Sequence, residues 1–181
     1  AIPETVMDSA NSIIRGIREG GDRALLEYTK KYDGVELEPA SIEVDKKEML
    51  GALDEIDGNQ RRALEISAAR IRTFQGLQLP KGFAGEIAPG VTVGVAYDPL
   101  ESAGIYVPGG RAAYPSTVLM TAIPAKVAGV RRVVMCTPPG KDGRVAPIIL
   151  AAASIAGVDR IFRAGGVQAI AAMAYGTETI P

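Results

Sequence analysis

From residue 103 onward, short apolar runs closed by glycine and proline turns alternate with helical stretches. Residues 103–107 lead into Pro108-Gly109-Gly110, residues 132–136 into Thr137-Pro138-Pro139-Gly140, and residues 158–162 into Ala164-Gly165-Gly166. The spacing predicts helices over 116–128, 147–156 and 168–175, the first of them kinked by Pro124. Strands this apolar are covered on both faces, and strands that alternate with helices build a parallel sheet. An α/β protein is therefore expected.

The first 80 residues read differently, because they hold well over half of the charged side chains. We expect residues 1–80 to be a helical region and residues 81–181 an α/β domain. One helix follows Pro3 and carries Val6, Ala10, Ile13 and Ile17 until Gly20-Gly21 stops it. Asp22 is then expected to cap a second helix with Leu25, Leu26, Thr29 and Tyr32, ended by Asp33-Gly34. A third begins near Asp45 and carries Met49, Leu50 and Leu53. Asp57 and Gln60 form a capping box for a fourth, whose stripe is Leu64, Ala68, Ile71, Phe74 and Leu77. Arg61, Arg62, Glu65, Arg70 and Arg72 lie between those positions and read as a solvated face. Residues 79–90, with Pro80, Gly82, Gly85, Pro89 and Gly90, are expected to be a linker before a strand at 91–97.

Composition removes several kinds of chemistry. The 181 residues include no histidine and one cysteine, so neither a Ser-His-Asp nor a Cys-His pair is available from this chain. Zinc would find neither imidazole nor paired thiols. A lone cysteine forms no internal disulfide, which points to a reducing compartment, by default the cytoplasm. With 20 basic and 21 acidic side chains, no electrostatic case exists for nucleic acid as a partner. No apolar run reaches the roughly 20 residues of a membrane-spanning helix. Ala1 and Pro181 read as edges of a longer protein.

Each glycine-rich turn falls at the carboxyl end of a strand. Ligands bind at that edge in open α/β sheets, and helix amino termini there offer free N–H groups to phosphates. Neither Gly-x-Gly-x-x-Gly nor the Walker pattern is present, and such turns also serve simply to join strands to helices. Tyr106 ends the first apolar run, where its ring either stacks on a ligand or closes the core. Gln168 follows Gly165-Gly166, and its amide reaches either a ribose or phosphate, or backbone and water. Cys136, inside an apolar run, reads as a small buried hydrophobe.

Several longer runs resemble the histidinol dehydrogenase family. They are Gly104-Ile105-Tyr106-Val107-Pro108-Gly109-Gly110, Pro115-Ser116-Thr117-Val118-Leu119-Met120, Ile123-Pro124-Ala125 and Cys136-Thr137-Pro138-Pro139. Gly165-Gly166-Val167-Gln168-Ala169-Ile170-Ala171-Ala172 and Ala174-Tyr175-Gly176-Thr177-Glu178-Thr179-Ile180-Pro181 extend the match, as do Gly21-Asp22-Arg23-Ala24-Leu25 and Tyr32-Asp33. The resemblance implies an incomplete Rossmann-like, aldehyde-dehydrogenase-like fold with helices on both faces of a parallel sheet. It further implies a zinc enzyme and a homodimer that oxidises L-histidinol to L-histidine with two NAD, through an aldehyde, in histidine biosynthesis. By position, Tyr106 and Gln168 match residues that hold NAD. The family continues beyond Pro181 with a Gly-Pro-Gly-Asn segment, the zinc ligands and a Glu-His acid–base pair. The resemblance thus makes this chain an amino-terminal part, expected to be inactive alone. Two other readings remain at this point: a cofactor domain of an aldehyde-dehydrogenase-like enzyme, and a non-catalytic structural or dimerisation module.

Overall fold

The computed structural model describes residues 2–109 and 112–181, so Gly110 of the first turn lies outside it. Helices α1 (Glu4–Tyr28), α2 (Lys46–Glu55) and α3 (Gly58–Leu77) come first, with a π turn at Thr29–Asp33 and a 3-10 turn at Pro39–Ser41. Strands β1 (Phe83–Ala88), β2 (Val91–Val95) and β3 (Ser102–Tyr106) follow. Then come α4 (Pro115–Val127), β4 (Arg132–Thr137), α5 (Pro147–Ala156), β5 (Arg160–Arg163) and α6 (Gly166–Tyr175).

The expected parallel sheet is present, in the order β3-β4-β5. Its central strand shows why the residues form it. Val133 and Met135 enter one buried cluster while Val134 and Cys136 enter another, the period-two alternation of a strand covered on both faces. Helices α2, α3, α4 and α5 pack together over the first cluster; α1 and α6 pair over the second. The helices of residues 1–80 therefore cover both faces of the sheet. None among the described residues is long and apolar enough to cross a membrane.

The outer edge of β5 is closed by an extended segment. Val44 donates its N–H to Ile161 at 2.8 Å, and Arg163 donates its N–H to Ile42 at 2.7 Å. Side chains reinforce the seam. The Arg160 guanidinium donates twice to Glu43, both at 2.7 Å, and buried Arg163 donates to the carbonyls of Ser41 and Glu43 and to the Glu48 carboxylate.

Local sequence signals were mostly realised. Asp45 accepts the Lys47 N–H to start α2, and Asp57 with Gln60 forms the capping box of α3. Pro124 lies within α4 without ending it. Four details differ. Residues 79–90 are no linker: 83–88 form β1, paired antiparallel with β2 around a turn at Gly90. The glycines and prolines masked a strand whose pairing also slips by one residue at Ile87, between Glu86 and Ala88. Asp22 does not cap a helix. Gly21 does interrupt α1, at φ 51° and ψ −135°, but the Asp22 carboxylate turns away to accept from the Thr179 N–H and hydroxyl. In return Asp22 donates its N–H to Glu178 at 2.7 Å. Tyr32 leaves the stripe of Leu25 and Thr29, because the i→i+5 bonding of the π turn widens the helix and swings it to 49% exposure. The α3 stripe buries Leu64 and Ala68 but runs into solvent at Phe74 and Leu77.

Candidate functional site

At the carboxyl edge of the sheet the chain turns out of β3, β4 and β5 in quick succession, and a cleft of about 700 Å³ opens there. Its walls include Tyr106 and Pro108 after β3, Thr137 to Gly140 after β4, and Tyr32 and Asp33 from the π turn. This is the edge where an open α/β sheet presents ligands. Lys141 and Arg144 line it as cations; Arg144 is paired with Glu55 at 3.3 Å.

The turn from β5 into α6 is the most constrained part. Gly166 has φ 60°, which a side chain would make strained. A Cβ on Gly165 would fall 2.8 Å from both Asp33 Oδ1 and Pro138 Cβ, and one on Gly166 would fall 2.9 Å from Gln168 Oε1. Only two adjacent glycines let the Asp33 carboxylate, the Pro138 ring and the Gln168 amide come this close to the backbone.

Both residues singled out from the sequence meet at this turn. Tyr106, half-buried, accepts the Gly166 N–H on its hydroxyl oxygen at 3.1 Å and stands in the cleft wall. That leaves the phenolic hydrogen free to donate. Gln168 is 2% exposed, folded against Gly166 rather than lining the cleft, and its Nε2 finds no acceptor among the described residues. Cys136 is fully buried, and burial pushes its thiol up to about 12, so it is no nucleophile.

Sequence reasoning missed Asp33. Burial raises its carboxyl above the usual aspartate range, and a hydrogen bond from the Gly165 backbone pulls it partly back. The run Tyr32-Asp33-Gly34 read as a helix end, which it is; that the end abuts the β5–α6 turn is a tertiary fact no local pattern carries. No metal centre accompanies the cleft: among the described residues no group of three or more His, Cys, Asp or Glu stands together.

Comparison with known proteins agrees along the whole chain. The family model for histidinol dehydrogenase matches residues 2–181. A histidinol dehydrogenase of Methanosarcina mazei is 54% identical over 177 residues, which is 97% of this chain and 40% of that protein. One from Syntrophotalea carbinolica is 49% identical over 179 residues, 99% of this chain and 41% of that protein. The crystal structure of histidinol dehydrogenase from Elizabethkingia anophelis superposes with a TM-score of 0.93 at 36% identity, covering 100% of this chain and 41% of that one. The chain thus spans about 40% of the length of the relatives it matches. With the family model covering nearly every residue and the fold shared with a solved relative, this chain belongs to the histidinol dehydrogenase family.

Proposed function

We propose that this chain carries part of the dinucleotide site of an NAD-dependent enzyme that oxidises L-histidinol to L-histidine. The observation behind the reading is the meeting of Tyr106 and Gln168 at the Gly165-Gly166 turn, beside an open cleft. The residues fit a dinucleotide. Tyr106 would offer a ring face and a hydroxyl donor, the buried Gln168 Nε2 lacks an acceptor, and the start of α6 has free N–H groups for a diphosphate. Lys141, in no ion pair among the described residues, adds a cation for the same charge. When bound, NAD supplies the hydride acceptor. In this reading residues 81–181 form the incomplete Rossmann-like, aldehyde-dehydrogenase-like unit that carries the site, and residues 1–80 are its helical cover. The reading also takes the protein to be cytoplasmic and homodimeric.

The zinc of the family finds no donor set in these residues. The sequence holds no histidine, and its one cysteine is buried. No step through a metal follows from this chain, and we expect it to oxidise no histidinol by itself, with or without zinc. NADH formation proportional to purified chain would overturn that expectation.

For the cofactor, a chemical-shift titration with NAD is expected to show binding of about −4 kcal/mol, roughly millimolar. Tyr106→Ala and Gln168→Ala should each weaken it by about 0.5–1.5 kcal/mol. Equal perturbation of the same residues in all three proteins would make both side chains purely structural.

A further inference from the structure

Asp33 has no part in the reading above, yet its carboxylate is built into the cleft. The π turn Thr29–Asp33 ends on it, and Gly34, at φ 72°, turns the chain away immediately afterwards. π turns occur often at functional sites, because they displace one residue from the regular helical face. Here the displaced segment sets Tyr32 and Asp33 in the cleft wall. The carboxylate is pressed so near the β5–α6 turn that a Cβ on Gly165 would lie 2.8 Å from Oδ1 and 3.2 Å from Oδ2.

The Gly165 backbone lies against the carboxylate and pulls its pKa partly back down. Oδ2 is nevertheless buried and accepts from nothing among the described residues. An unmet buried acceptor is costly, and native proteins keep few of them. The groups around it do not answer the need: the Tyr106 hydroxyl oxygen is already engaged by Gly166, and Lys141 forms no ion pair with Asp33. This oxygen lacks a donor, and Asp33 lines the cleft from which a ligand could supply one.

We propose that Asp33 is the hydroxyl acceptor of this site, its Oδ2 taking a hydrogen bond from a sugar hydroxyl of the bound dinucleotide. The inference rests on the dinucleotide reading and adds a preference to it. An ionised carboxylate accepts and never donates, so it favours a free hydroxyl and repels a phosphate placed on that hydroxyl. Asp33 thereby selects a dinucleotide with unmodified ribose at this position.

The test is a titration of the 181-residue chain with NAD and with analogues lacking the hydroxyls of one ribose or of the other. The wild-type chain is expected to bind one analogue about tenfold more weakly than NAD, the loss typical of a hydrogen bond to a charged group. Asp33→Asn should shrink that discrimination and Asp33→Ala should abolish it; should the alanine variant fail to fold, the isosteric asparagine still decides. Equal binding of all analogues by the wild-type chain overturns the proposal, as does discrimination that survives both substitutions. Binding of NAD with that result removes Asp33 alone from the site. No binding of NAD by the wild-type chain removes the dinucleotide reading with it.

Discussion

A carboxylate held against a backbone turn and away from water keeps its proton longer than one in an unfolded chain. For Asp33 the native value is raised, so the folded state binds the proton more tightly. Its favourable contribution is complete in acid, below the unfolded aspartate value, and is lost as pH rises through the native one. At neutral pH the buried charge weighs against the fold. Asp33→Asn is therefore expected to raise the thermal midpoint at pH 7 and to gain less in acid, near pH 4, where more of the native carboxyl carries its proton. Scanning calorimetry at the two pH values checks this; a lower midpoint at pH 7 would mean that the charge is satisfied. The same substitution should weaken ligand binding, so stability and binding are opposed at one atom. Tyr106 and Gln168 drew notice in the sequence because one stands just before a glycine turn and the other just after one. Asp33 was not, since its neighbour Gly165 lies far along the chain and only the π turn brings the two together.

Among the elements, the seam between residues 41–48 and β5 concentrates the buried charge. Arg163 is 8% exposed, and its ionic partner is Glu48. Removing one member of such a pair leaves an uncompensated buried charge, usually a loss of about 3–5 kcal/mol. Glu48→Ala is expected near the low end, about 3 kcal/mol, because the Ser41 and Glu43 carbonyls still hold the guanidinium. Arg61→Ala, which breaks an exposed pair with Glu65 on α3, should change stability by no more than about 0.5 kcal/mol. Urea unfolding of both variants gives the comparison, and equal small shifts would contradict it. Helices α2 and α3 were legible from caps and stripes, since those signals are local. The pairing of β1 with β2 was not: proline and three glycines around the apolar residues look the same in a linker and in a hairpin.

On the scale of the molecule, the parallel sheet could be read from the alternation of apolar runs and turns, while the apolar surface left uncovered could not. The hairpin face formed by Phe83, Ile87, Val91, Val93 and Val95 is exposed throughout, and Phe74 and Leu77 of α3 are exposed as well. An apolar area of that kind favours association. Sedimentation is expected to show concentration-dependent self-association, reduced by Val93→Lys; a clean monomer at high concentration would count against it. The bond between Asp22 and Thr179 carries a different consequence, one of timing. The two residues lie 157 positions apart. A ribosome adding about 5–20 residues per second needs on the order of ten seconds to cover that interval. Throughout it α1 has emerged without α6 to lie on, so its buried face, Ile13, Ile17 and Leu25, stays open to chaperones or to another nascent chain. Of the helices described, the one made earliest is among the last to find its place.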